Sequence, residues 1–101
     1  MKVLTNEIKL EIKELVYDYL VDECDVEKED IHGHMSVISD LDGDSLMFVE
    51  LVESIKKKYE LSIEMQSIGK YLLKNPADTV DEVVNVCYLV YEKESSIVDE
   101  E

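Results

Sequence analysis

The chain has 101 residues, of which 46% are apolar and 35% are charged. This length fits a single domain, and the apolar fraction is that of a folded protein and not of a disordered chain. With 25 acidic and 10 basic residues the net charge is −15, which repels nucleic-acid phosphates and anionic lipid surfaces and favours partners with basic surfaces.

The sequence shows no sign of export or membrane insertion. No apolar run approaches the ~20 residues of a membrane span, and polar and charged residues directly follow Lys2-Val3-Leu4. We therefore expect a cytoplasmic protein in which Cys24 and Cys87 are reduced thiols. Cys87 falls on an apolar helix face and should be buried, whereas Cys24 lies near a helix end and should be exposed.

The first predicted helix is capped by Thr5 or Asn6 and runs to about Val21. Apolar residues repeat along it at helical spacing: Leu4, Ile8, Ile12, Leu15 and Tyr19. A long connection from Asp22 to Ser39 follows, and connections of this length in compact domains are often functional.

The second predicted helix runs from Ser45 to about Tyr59. Five residues form its buried stripe: Phe48, Leu51, Val52, Ile55 and Tyr59. Gly43 allows a tight turn, and Asp44 is the candidate N-cap, so Ser45 takes the first helical position. A phosphate attached there would meet unpaired backbone N–H groups and the positive end of the helix dipole.

Two further helices are predicted. Ser67 is the candidate cap of a short helix that uses Ile68, Tyr71 and Leu72 and ends at Asn75-Pro76, although a longer third helix also fits. Thr79 and Glu82 have the spacing of a capping box. The last helix then presents an apolar face made of Val80, Val83, Val84, Cys87 and Tyr91.

The Asp44-Ser45-Leu46 tripeptide followed by Val49-Glu50-Leu51 resembles the signature of acyl carrier proteins, and the resemblance extends upstream through 26–31 and 39–41. It implies an all-α fold, a four-helix bundle with a long loop between helices 1 and 2 and an extended third-helix region. The carrier domain would span residues 1–92, and 93–101 would be an acidic, frayed tail. Val26, Ile31 and Val37 match the loop residues that plug the bundle in this family.

The resemblance also implies a function. Ser45 would carry 4′-phosphopantetheine, attached from coenzyme A by a phosphopantetheinyl transferase. The arm would hold acyl intermediates as thioesters for fatty acid, polyketide or related lipid biosynthesis. Basic patches on acyl-loading, synthase and acyl-transfer enzymes would dock on a surface around the serine, and the carrier would be a monomer. The residues expected in that surface are Asp40, Asp42, Asp44, Leu46, Met47, Val49, Glu50 and Glu53.

Several residues depart from the common pattern of the family. Met47 and Phe48 stand where common fatty-acid carriers have polar residues, Gly43 is one place closer to the serine, and the helix ends in the basic run 56–58. These differences favour a specialised carrier with dedicated partners.

Other readings stay open. The order Gly43-Asp44-Ser45 leaves a peptidyl or aminoacyl carrier as the nearest alternative. From another class, an unmodified acidic adaptor or a calcium-responsive module is possible, but the calcium pattern needs Gly and Glu where Ser45 and Leu51 stand. His32 and His34 lack a second ligand pair, so no metal site is expected. No nucleophile–base pair is evident, so no catalytic residue is assigned and the chain is not expected to be an enzyme.

Overall fold

The computed structural model describes residues 3–41, 45–74 and 76–93, except for the side chains of Ser45, Met65 and Ser67. This part of the chain forms four α-helices, one short 3-10 turn and a single β-bridge between Ser36 and Thr79. The bounds are Asn6–Cys24 for α1, Lys28–Asp30 for the 3-10 turn, Ser45–Tyr59 for α2, Met65–Lys74 for α3 and Val80–Lys93 for α4. The prediction of an all-α, four-helix fold is confirmed. None of the described helices is long and apolar enough to cross a membrane.

Helix α1 begins where the sequence predicted but ends later. The Thr5 hydroxyl oxygen accepts a hydrogen bond from the Ile8 amide at 3.2 Å, which caps the helix. The helix continues to Cys24 and stops at Asp25, whose φ of 54° is left-handed. Its fully buried residues are Ile12, Val16 and Leu20. These buried residues are spaced four positions apart and form a single row along the helix. Leu15 and Tyr19, which were predicted in the buried stripe, lie half-buried beside that row, so the prediction was only partly right.

The long connection between α1 and α2 closes one part of the core. Ile31, Val37 and Leu41 are buried, and Val26 is half-buried against the same core. The predicted plugging residues therefore do pack inward. Removing their apolar surface from water ties the loop to the bundle.

Backbone hydrogen bonds then fasten this loop to the start of α4. The Val80 amide donates to the Met35 carbonyl at 2.9 Å, and the Val37 amide donates to the Asp78 carbonyl at 2.9 Å. Asp81 N–H donates to the Gly33 carbonyl at 2.8 Å. We call this contact between residues 33–37 and 78–81 the clasp. A side-chain hydrogen bond reinforces the clasp, in which the Ser36 hydroxyl donates to an Asp78 carboxylate oxygen at 2.6 Å.

Helix α2 places most of its predicted stripe as expected. Leu51, Val52 and Ile55 are buried, while Phe48 and Tyr59 are half-buried. The Tyr59 hydroxyl donates to a Glu11 carboxylate oxygen at 2.8 Å, which joins α2 to α1. Burial, together with this acceptor, raises the pKa of Tyr59. The Tyr59 ring also packs edge-on against Tyr91, with ring centroids 5.0 Å apart, so the ends of α2 and α4 are joined as well.

Helix α3 confirms an extended third-helix region but corrects its start. The helix begins at Met65, so Ser67 is an interior residue and not the cap. The Ile68 amide donates to the Glu64 carbonyl at 3.4 Å, which is the i to i−4 bond of a helix that starts before Ser67. The sequence misled because serine is a common cap. Here the helix already includes Met65, and Ile68 is buried within its first turns.

Helix α4 begins with the predicted capping box. The Glu82 amide donates to the Thr79 hydroxyl oxygen at 3.2 Å, and the Thr79 amide donates to a Glu82 carboxylate oxygen at 2.9 Å. These backbone donors, Thr79 first and Asp78 second, lower the pKa of Glu82.

The rest of α4 is apolar on more than one side because it packs against both α1 and α2. Its buried residues are Val80, Val83, Val84, Val86, Cys87, Val90 and Tyr91. The helix continues through Lys93, so that residue belongs to the helix and not to the predicted tail. Residues 94–101, the remainder of the predicted tail, lie outside the described residues.

The two cysteines differ in environment, and neither forms a disulfide. Cys24 is half-buried and Cys87 is buried, so Cys24 is less exposed than predicted. Burial raises the pKa of the Cys87 thiol to about 12. At neutral pH this thiol is protonated and therefore a poor nucleophile.

The capping box gives a first prediction. Replacing Thr79 with Ala should lower the free energy of unfolding by about 1 kcal/mol, because one amide of the first turn loses its acceptor. Thr79→Ser keeps the hydroxyl and should change it little. Urea unfolding followed by circular dichroism measures both, and equal losses in the two variants would contradict the capping role.

Glu82 adds a pH dependence to the same box. Its folded pKa lies below the ordinary value of 4.5, so its charge stabilises the fold above that pH and loses this effect as pH falls through the folded pKa. The wild type should therefore melt above Glu82→Gln at pH 7, and the gap should close as pH falls below 4.5 and through the folded pKa. A gap that is constant with pH would show that the charge plays no part.

Cys87 gives a third prediction, tested in Cys24→Ser so that one thiol remains. A disulfide reagent should modify native apo-protein far more slowly than urea-unfolded protein, because the thiolate is scarce and the sulfur is covered. Modification of the native protein at the rate of a free thiol would contradict the burial of Cys87.

Candidate functional site

Ser45 is the first residue of α2. The chain enters this helix from Leu41, which is buried, and the helix is held by the buried residues Met47 and Leu51. The amino end of α2 is thus fixed against the core. Its first amides have no acceptor within the helix and lie at the positive end of the dipole, which suits a phosphate on the serine. Residues 42–44, and with them the predicted cap Asp44, lie outside the described residues.

Beside Ser45, the outward face of α2 is apolar at its start and acidic further on. The side chain of Leu46 is 67% exposed and that of Val49 is 38% exposed. Glu50 and Glu53 are exposed on the same helix, and Glu53 pairs with Lys57 at 3.4 Å. We call Leu46, Val49, Glu50 and Glu53 the α2 face. Four of the predicted surface residues therefore lie together on one exposed helix face.

Met47 does not belong to that face. It is only 8% exposed and packs in the core, so the prediction of a partner contact at Met47 was wrong. Phe48, predicted to face the core, packs against the core and is half-buried. The buried side of the first turn of α2 therefore includes Met47.

Asp40 is exposed, but its carboxylate already has a structural partner. One carboxylate oxygen accepts a hydrogen bond from the Ser36 amide at 2.8 Å, and the Asp40 amide donates to the Ser36 carbonyl at 2.8 Å. Asp40 therefore shapes the turn that leads to α2 and carries a surface charge as well. Asp42 and Asp44, the other predicted acidic residues before the serine, lie outside the described residues.

A small apolar cavity lies between α2, α3 and α4, with a volume of about 10 Å³. Periodicity predicted Leu72 within the third helix, but it could not show a cavity, because a cavity depends on how the three helices pack. Cys87 forms part of its wall. The lining residues are Phe48, Leu51, Val52, Leu72, Ala77, Val83, Val86 and Cys87.

The structure also describes the two histidines that were considered as half of a metal site. His32 and His34 are exposed, and their rings stack on each other with centroids 5.9 Å apart. Within residues 3–41, 45–74 and 76–93, no group of three or more His, Cys, Asp or Glu side chains is placed to hold a metal ion.

Comparison with known proteins agrees with this geometry. Residues 14–83 match the family described as "Phosphopantetheine attachment site". The chain is 54% identical over 99 residues to an "Acyl carrier protein homolog" of Clostridium acetobutylicum, which covers 98% of this chain and 96% of the relative. It is also 33% identical over 76 residues to an "Acyl carrier protein" of Picosynechococcus sp., covering 75% of this chain and 86% of that protein. The chain thus belongs to the acyl carrier protein family, whose members bear covalent 4′-phosphopantetheine and act as carriers and not as enzymes.

Proposed function

We propose that Ser45 bears the 4′-phosphopantetheine arm and that the chain carries acyl thioesters for fatty acid, polyketide or related lipid biosynthesis. The observation that carries this proposal is the position of Ser45 at the first turn of α2, next to the largely exposed Leu46. The amino end of this helix favours a phosphate attached to its first residue.

The attachment itself needs no base from this chain. The Ser45 hydroxyl oxygen would attack the phosphorus of coenzyme A that bears the pantetheine arm. A phosphodiester forms, the pyrophosphate bond breaks, and adenosine 3′,5′-bisphosphate leaves. The transferase accepts the hydroxyl proton. What this chain contributes is a fixed helix end with the serine as the first residue of the helix.

The α2 face supplies the docking surface in this proposal. Leu46 and Val49 provide apolar contact area, and Glu50 and Glu53 attract basic patches on the transferase and on acyl-handling enzymes. Asp40, Asp42 and Asp44 would extend the acidic surface toward the serine. The net charge of −15 adds long-range attraction to basic partners. We also propose that the carrier acts as a cytoplasmic monomer.

Intact mass spectrometry tests the attachment. Apo-protein treated with a broad-specificity transferase and coenzyme A should gain one phosphopantetheine mass, and Ser45→Ala should gain none. Both proteins should give the same circular dichroism spectrum, which controls for folding. A folded wild-type chain that gains no mass with several transferases would refute the carrier proposal.

The kind of carrier can be tested on the same modified protein. An acyl carrier should be loaded by an acyl-activating enzyme, whereas loading by an amino-acid-adenylating ligase would favour the peptidyl carrier alternative.

Substitutions at the neighbouring residues Leu46 and Met47 distinguish an effect on docking from an effect on folding. Leu46→Ala should slow transfer by the transferase while changing the free energy of unfolding by less than about 0.5 kcal/mol, since the side chain is exposed. Met47→Ala should cost about 2–5 kcal/mol of stability, because it removes a buried side chain. Urea unfolding and modification rates measure the pair, and a reversed order of stability losses would contradict the assignment of the two side chains.

Charge reversal tests the acidic part of the α2 face. Glu50→Lys combined with Glu53→Lys should lower kcat/KM for modification severalfold at low salt, and the difference from wild type should shrink as salt rises. Glu60→Lys with Glu64→Lys is the matched control, because both residues are exposed and the pair makes the same change of net charge beyond Tyr59, at the opposite end of α2 from the serine. Equal effects of the two pairs would indicate attraction by net charge alone.

A further inference from the structure

Helix α3 carries an exposed surface whose charge is opposite in sign to that of the whole chain. Residues 65–77 contain no acidic side chain, the longest such stretch in a sequence with 25 acidic residues among 101. Lys70, Leu73 and Lys74 are exposed within this stretch. Leu73 is 85% exposed, more than any other large apolar side chain that the structure describes. We call Gly69, Lys70, Leu73 and Lys74 the α3 face.

The glycine of the α3 face is not required by the packing of the chain itself. Gly69 lies in the interior of α3, where glycine is among the least favourable residues. Its φ is not positive, and a β-carbon placed on it would meet no atom within 4 Å. Neither its backbone conformation nor a close internal contact therefore calls for glycine. The missing side chain does allow a second backbone to approach closely from outside.

The two lysines determine the charge that a partner would meet on the α3 face. Lys70 and Lys74 lie one turn apart on a helix about 15 Å long, and the nearest acidic residues along the chain are Glu64 and Asp78. The Debye length at physiological salt is about 8 Å. A partner in contact with this face therefore interacts more strongly with the lysines than with the distant carboxylates that dominate the net charge. Carboxylates are the complementary groups.

We propose that the α3 face docks a protein partner that presents carboxylates beside an apolar socket. In the complex, the partner's backbone lies across Gly69, Leu73 fills the socket, and Lys70 and Lys74 pair with the carboxylates. The α2 face is acidic, so the two faces select partners of opposite charge. The inference goes beyond the proposed function and does not depend on the modification of Ser45.

Selection from a library of random peptides displayed on phage tests the chemistry of the partner. The library would be selected on the wild type and depleted on Leu73→Ala, so that the remaining peptides depend on Leu73. These peptides should be acidic and rich in apolar residues, whereas the net charge of −15 alone would select basic peptides. Depletion on Leu10→Ala is the matched control, because Leu10 is an exposed leucine of α1, and its pool should not be acidic.

Synthetic copies of the selected peptides test the lysines independently of the selection. Affinity measured by fluorescence anisotropy should fall at least about tenfold in the double variant Lys70→Glu with Lys74→Glu. The matched control is Lys9→Glu with Lys13→Glu, an exposed lysine pair of the same spacing on α1, and it should change affinity by less than about twofold. Ser45→Ala should bind as the wild type does.

Gly69→Ala separates docking from folding. It should raise the melting temperature by about 4 °C, because alanine suits a helix better than glycine and its β-carbon meets open space. The same substitution should weaken peptide binding severalfold, since the β-carbon keeps the second backbone away. A glycine with only a structural role would give the reverse, a lower melting temperature and an unchanged affinity.

Three results would overturn the inference. Basic peptides, or acidic peptides whose binding ignores the lysine substitutions, would show that the partner is not acidic. A selection that leaves no peptide dependent on Leu73 would show that the α3 face does not dock a peptide segment. A wild-type dimer in light scattering that Leu73→Ala dissociates would show that a second copy covers the face. These readouts are separate from the mass spectrometry of Ser45, so the carrier proposal and this inference fail independently.

Discussion

The clasp between residues 33–37 and 78–81 is the contact on which the rest of the structure depends. A long loop can hold apolar side chains in a core only if its own backbone groups find partners there. The clasp provides them, since the amides of Val37, Val80 and Asp81 all donate to carbonyls across the contact. Held in this way, the loop buries Ile31, Val37 and Leu41 and leads directly to α2. The position of Ser45 is therefore set by an interaction with α4, the helix farthest from it in the chain.

In this arrangement, the α2 residues that stabilise the fold and the α2 residues proposed to bind partners lie on different sides of the helix. Core residues of α2 face α3 and α4, and the α2 face that surrounds the serine makes little contribution to the core. The charged residues of α2 also differ in position along the helix according to their sign. Glu50 and Glu53 occupy its exposed middle, and the basic run 56–58 lies in the last turn, where positive charge is favoured by the helix dipole. The basic run 56–58 departs from the family pattern, and its position in the last turn of α2 gives it a stabilising role in addition to any role in partner choice.

Much of the fold could be predicted from the sequence, and the predictions that were wrong or absent have physical causes. The cap at Thr5 and the capping box at Thr79 were predictable because their signals are local, a side-chain oxygen and a following amide. Met47 was misplaced because a helical wheel assumes one partner direction, whereas α2 contacts α1, α3 and α4. Ser67 was mistaken for a cap because only tertiary packing of Ile68 shows that the turn before it is helical. No local pattern could have revealed the clasp, whose partners are more than forty residues apart in the chain.

Native-state amide hydrogen exchange of the apo-protein tests the role of the clasp most directly. The account predicts that the Val37, Val80 and Asp81 amides exchange slowly, with protection close to that of the Leu51 and Ile55 amides in α2, because loop and helices open together. Rapid exchange of the three clasp amides while α2 remains protected would contradict it. The loop would then be independent of the bundle, and something other than the clasp would have to position Ser45.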